Sequence, residues 1–144
     1  MRILVLNGPN LNLLGVREPG LYGTVDYDGL LAHIQKECDA LGVQVRFYQS
    51  NHEGDLVDAI QAARLDCDGI VLNPGAYTHT SIAILDALKA VALPAAEVHI
   101  TDINQREEFR KVSYAGMACQ AHFIGQGLAG YLNAVRWLAE NYSK

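Results

Sequence analysis

The sequence predicts an α/β fold built on an open parallel sheet, and three observations carry that expectation. Short apolar runs alternate with helix-periodic segments along the chain, the pattern of repeated β-α-β units. The run at 69–72 (GIVL) shows no polar alternation, as a strand covered by helices on both faces requires. The segment 43–48 instead alternates Val43, Val45 and Phe47 with Gln44, Arg46 and Tyr48. That alternation marks a strand with one solvated face, as at a sheet edge.

The elements follow in order. Residues 2–6 (RILVL) read as a buried first strand. Thr24 or Asp26 then caps a helix whose apolar positions Leu30, Leu31, Ile34, Cys38 and Leu41 fall on one face, and Gly42 ends it. The edge strand comes next, then a helix over about 54–63 presenting Leu56, Val57 and Ile60. After the central strand, residues 81–91 form a third helix. Pro94 introduces a strand at 97–100 (EVHI), Phe123 and Ile124 lie in the last strand, and 128–142 forms the final helix with Leu128, Leu132, Val135 and Leu138 along one stripe. Five strands joined by right-handed crossovers imply a parallel sheet. The flavodoxin-like order 2-1-3-4-5 puts the alternating strand at the edge, and ligands in such sheets bind at the carboxyl ends of the strands. Asn7, Asn10, Asn73 and His99 fall there.

Composition bounds the function. The chain has 144 residues, half of them hydrophobic and 19% charged, which suits a single domain, residues 1–144, with its own core. A net charge of −5 without any basic run argues against nucleic acid as a partner. Cys38, Cys67 and Cys119 are odd in number and show no C-x-x-C, so a reducing compartment fits best. The opening apolar run is too short for a signal-peptide core, and nothing later suits a membrane span. A cytoplasmic location is expected.

The segment 8–23 (GPNLNLLGVREPGLYG) is far longer than the loop of roughly 2–6 residues that usually joins a strand to its helix. It carries Asn10, Asn12, Arg17, Glu18 and Tyr22, and reads as an active-site flap. Several chemistries can be struck out. Phosphoryl receivers need acids where this chain has Asn7 and Asn73. The G-x-G-x-x-G at 125–130 has no second β-α-β half beyond it and no acid about twenty positions on, so tight turning and close helix packing explain its glycines. Ser81 lacks a nucleophile elbow, the histidine spacing suggests no metal site, and no lysine looks desolvated enough for imine chemistry. What remains is Asn10, Arg17, Tyr22, Asn73, His79, Glu97, His99, Arg106 and Arg110: proton-transfer groups, amides and guanidinium donors. Acid–base chemistry on a small polar or anionic molecule is the natural reading.

Four blocks, GPNLNLLGVREPGLYG at 8–23, NPGAYTHTS at 73–81, EVHI at 97–100 and REEFRKVSY at 106–114, make the chain resemble the type II 3-dehydroquinate dehydratases along essentially its whole length. The resemblance implies a flavodoxin-like subunit in a dodecamer of four trimers. It implies anti elimination of water from 3-dehydroquinate to 3-dehydroshikimate, in the shikimate pathway or in quinate breakdown, through an enolate and without metal or organic cofactor. Tyr22 would be the base and Arg17 would favour the charged states. Asn10 would hold a water on the enolate oxygen. His99 would protonate the departing hydroxyl, with Glu97 orienting its ring. Asn73, His79 and Arg110 would grip substrate hydroxyls, the amides of Ile100 and Thr101 would take its carboxylate, and Asp86 would reach in from a neighbouring subunit. After EVHI, relatives often read Ser-Asn-x-His-Ala where this chain has 101–105 (TDINQ), and Leu85 stands where they often carry arginine.

Physical chemistry supports these roles beside the resemblance. Making phenolate at neutral pH costs roughly 4 kcal/mol, and a neighbouring guanidinium, Arg17 or the second candidate Arg106, lowers that cost. The Glu-x-His spacing along a strand points both side chains to one face. The amides of Ile100 and Thr101, ahead of a helical turn expected over 102–109, offer an anion site. His33 and His52 are expected to be solvated and His122 structural. The third helix is apolar on almost every face, where a monomer would show a solvated side, so burial against another subunit is expected, with Asp86 needing a partner there. Two other classes remain: a catalytically silent flavodoxin-like binding or scaffold protein, and a flavin-binding electron carrier, against which the absence of a hydroxyl-rich phosphate loop after the first strand argues.

Overall fold

The computed structural model describes residues 1–16 and 25–143. The strands are β1 (Arg2–Asn7), β2 (Gln44–Gln49), β3 (Gly69–Asn73), β4 (Ala95–His99) and β5 (Ala121–Ile124). All pairings are parallel, in the order β2-β1-β3-β4-β5, as the patterning predicts. The helices are α1 (Tyr27–Leu41), α2 (Glu53–Asp66), α3 (Ile82–Val91) and α4 (Ala129–Tyr142).

The local chemistry explains the boundaries. Asp26, rather than Thr24, caps α1 by accepting the Gly29 amide at 2.8 Å, and Gly42 ends it at φ 69°, the left-handed conformation that glycine adopts without strain. Ser81 caps α3 through the Ile84 amide at 3.0 Å. Two expectations need correction. β4 begins at Ala95 and ends at His99, because Ala95 and Ala96 pair with Ile70 and Val71, and alanine gives little strand signal from sequence. The expected helical turn over 102–109 is two separate 3-10 turns, Ile103–Gln105 and Glu108–Arg110. The Asp102 carboxylate caps the first through the Asn104 amide at 2.9 Å.

Strand alternation builds two cores. Ile3, Val5, Val71, Ala96 and Val98 face α1 and α4, where they meet Leu30, Ile34, Tyr131, Val135 and Leu138. Leu4, Leu6, Ile70, Leu72 and Ala95 face α2 and α3, meeting Leu56, Ile60, Ile84 and Leu88. Each valine, leucine or isoleucine among them contributes about 1.5–3 kcal/mol when removed from water. At the carboxyl ends of the strands the same alternation delivers polar groups. Asn7 and Asn73 continue the α4 side, and Glu97 and His99 continue the α2–α3 side, beneath the 3-10 turn Ala115–Ala118.

Candidate active site

A cavity of about 160 Å³ opens at the carboxyl end of the sheet, lined by Asn10, Asn73, His79, His99, Ile100, Thr101, Arg106 and Arg110 among others. Backbone shape comes first. Asn10 stands at φ 70° and donates its backbone amide to Asn51 Oδ1 at 3.0 Å. Gly8 brings the loop after β1 against the one after β3, since a Cβ there would lie 2.2 Å from the Pro74 carbonyl oxygen.

Beneath the cavity the two strand-end asparagines are joined by one phenol from α4. Asn73 Nδ2 donates to Tyr131 Oη at 2.8 Å, and Tyr131 donates to Asn7 Oδ1 at 2.7 Å. Asn73 Oδ1 accepts the Gly75 amide at 3.1 Å. These groups are almost wholly buried, so the Asn73 amide is held in one orientation where it meets the pocket.

The acid–base groups stand on β4. His99 Nε2 lies 2.9 Å from Glu97 Oε2, and both residues are buried. The Ser113 hydroxyl donates to the same oxygen while accepting the Gly116 amide at 3.0 Å. His122 Nδ1 meets the other oxygen, Oε1, at 2.6 Å. Burial pushes the Glu97 carboxyl up, but the hydrogen bonds from His99, Ser113 and His122 outweigh it and hold the group at about 2. Glu97 is therefore a carboxylate, an acceptor only. His99 donates Nε2–H to it, which leaves Nδ1 to serve the pocket.

His79 is fixed by a second hydrogen bond. Its Nδ1 donates to the Val112 carbonyl at 2.7 Å, so Nε2 is the nitrogen left for a ligand. Burial pushes its ionisation below 6.5, and the charges of His99, Arg110 and Arg106 push the same way. A neutral ring with an acceptor nitrogen suits a substrate hydroxyl. Arg110 Nε approaches Glu107 Oε2 to 2.9 Å outside hydrogen-bonding alignment, and Arg106 Nε reaches the same carboxylate at 4.0 Å. Both guanidinium groups line the pocket, giving it positive charge for an anionic molecule.

The structure thus brings together Asn10, Asn73, His79, Glu97, His99, Ile100, Thr101, Arg106 and Arg110. Arg17 and Tyr22 lie outside the described residues. Asp86 is exposed on α3 and is not among the residues lining this chain's own pocket. Ser113, Gly116, Tyr131 and His122 contact Glu97, Asn73 or Asn7 directly and were not among the residues the sequence singled out for the site. His122, expected to be structural, holds Glu97. A histidine inside an otherwise apolar strand, 121–124 (AHFI), was the available signal.

Fold and pocket together define a flavodoxin-like α/β protein equipped for acid–base chemistry. The chain belongs to the dehydroquinase class II family, whose model matches residues 1–139. It is 52% identical to the 3-dehydroquinate dehydratase of Lachnospira eligens, over 94% of this chain and 93% of that protein. It is 50% identical to that of Fusobacterium nucleatum over the full length of both. Among solved structures, the type II dehydroquinase from Butyrivibrio crossotus superposes with a TM-score of 0.94 at 50% identity, covering 96% of this chain and 97% of that one.

Proposed function

We propose that this protein is a 3-dehydroquinate dehydratase, removing water from 3-dehydroquinate by anti elimination to give 3-dehydroshikimate in the shikimate pathway of the cytoplasm. The single observation that carries the reading is the buried pair of Glu97 and His99 at the pocket wall, with their hydrogen bond at 2.9 Å. Tyr22, as phenolate beside Arg17, takes the proton from the carbon next to the ketone. The resulting enolate is held by a water on Asn10. His99 then gives its Nδ1 proton to the leaving hydroxyl, which departs as water, and Glu97 stabilises the imidazolium that must exist before that transfer. Asn73, His79 and Arg110 hold substrate hydroxyls, the amides of Ile100 and Thr101 take the carboxylate, and Arg106 adds positive charge. Hydrogen bonds to the enolate gain strength as charge develops on it, so they favour the transition state over the bound substrate.

The Asp102 departure is compatible with this reading. Its carboxylate is engaged with the Asn104 amide, and Asp102 is not among the pocket-lining residues. We also infer a homo-oligomer of four trimers in which Asp86 of one subunit completes the pocket of another. Adding 3-dehydroquinate and following the ultraviolet absorbance of the conjugated enone tests the activity directly. The expected result is a rise in absorbance that His99→Ala abolishes and that borohydride treatment with substrate leaves intact, since no imine forms. A flat trace would overturn the activity, and full turnover in Tyr22→Phe would overturn the assigned base.

A further inference from the structure

Glu97 is engaged more fully than the orientation of one histidine requires. Its Oε2 takes His99 Nε2 at 2.9 Å and the Ser113 hydroxyl, and its Oε1 takes His122 Nδ1 at 2.6 Å. The second imidazole arrives from β5, where His122 stands opposite Glu97 in the parallel ladder, so both side chains leave the same face of the sheet. His99 is 6% exposed at its side chain and lines the pocket, whereas His122 is 45% exposed. One carboxylate therefore joins a pocket imidazole to a solvent-facing one.

We propose that His122 is a positioning residue of this site: it fixes the Glu97 oxygen turned away from His99, and the two imidazoles divide a single negative charge. Its kinetic consequence rests on the dehydratase reading; the division of charge does not. A lone carboxylate neutralises one imidazolium. A second proton leaves the trio net positive, so protonating either ring opposes protonation of the other. His122 thereby sets how much of the Glu97 charge is available to the His99 imidazolium. The neighbouring groups do not replace it. The Cys119 thiol feels Glu97 but burial pushes it up to about 12, so it carries no charge. On the pocket side, the charges of His99, Arg106 and Arg110 reach His79, and none of these three cationic or imidazole side chains other than His99 hydrogen-bonds Glu97 among the described residues.

The test compares the full-length protein with His122→Gln, which keeps an N–H donor without a titrating charge, and His122→Leu, which keeps neither. Titrating nitrogen-15-labelled histidine by NMR, with the His99 signal assigned by its loss in His99→Gln, follows the ring itself. The expected result is that His99 holds its proton to a pH higher by about half a unit or more in both variants. With 3-dehydroquinate as substrate, His122→Leu should lower kcat about tenfold with KM changed less than about twofold, and His122→Gln should recover most of that loss. A purely structural role would lower the melting temperature without moving the His99 titration. Identical His99 titration in all three proteins overturns the proposal, as does wild-type kcat in a folded His122→Leu. If the unaltered protein fails to turn over 3-dehydroquinate, the functional reading falls and the NMR titration alone decides the division of charge.

Discussion

Glu97 shows what one residue can carry. Its carboxyl ionises at about 2 in the folded chain against an ordinary 4.5. A depressed folded value means the stabilisation is fully present above about pH 4.5 and is lost as pH falls toward 2. The amount is roughly 3 kcal/mol. Urea unfolding across pH 2–6 should show that decline, and Glu97→Gln should flatten it while lowering the plateau. Tyr131 is a second such residue. Tyr131→Phe removes the hydroxyl joining Asn7 and Asn73 and leaves buried amide groups unpaired, at a cost of about 1–3 kcal/mol, which a thermal melt would register. The pairing of Glu97 with His99 was legible in the sequence, whereas the role of Tyr131 was not. Glu97 and His99 are two positions apart on one strand, so their common face follows from local geometry. Tyr131 lies 124 and 58 positions from the asparagines it joins. Only the docking of the last helix on the sheet brings them into contact.

At the scale of elements, the strands were readable because burial writes itself into side-chain periodicity, while the turns over the site were not. Val45 and Phe47 pack on the core while Tyr48 and Gln44 are exposed, as an edge strand's alternation requires. The turn Ala115–Ala118 has no comparable pattern, since its conformation serves a tertiary contact. A Cβ at Gly116 would sit 2.5 Å from Glu97 Oε1, and that carboxylate cannot swing aside without breaking bonds to His99, Ser113 and His122. Gly116→Ala is therefore expected to lower kcat at least about tenfold with little change in KM. Gly54→Ala is the control. No atom lies within 4 Å of a Cβ there, and its backbone is helical, so it should raise stability by about 0.5–1 kcal/mol and leave kinetics alone. Of the glycines of 125–130, Gly125 and Gly127 are turn residues with φ of 74° and 63°, while Gly130 lies in α4 and packs on Val98.

The whole molecule leaves one face without an internal reason. Within a single chain, α3 buries Ile84, Leu85, Ala87 and Leu88 on the sheet side, yet its outer side presents Ile82, at 57% exposure, with Ala83, Asp86, Lys89 and Ala90. Lys89 near the carboxyl end solvates part of this side, but the isoleucine and alanine beside Asp86 in the first turns gain little from water, and they are what an outer helix would bury against another copy of the chain. If that burial completes the pocket with Asp86 of a neighbouring subunit, assembly and substrate binding are coupled. Ile82→Lys would place a charge in such a contact without touching the subunit's own core. Sedimentation velocity should show smaller species for this variant, with KM for 3-dehydroquinate raised about tenfold or more and circular dichroism unchanged. Asp86→Ala should raise KM to a similar degree while leaving the sedimentation profile intact, because it removes the contributed group and spares the apolar contact. A variant Ile82→Lys that sediments like the unaltered protein and binds substrate normally would place the assembly surface elsewhere on the molecule.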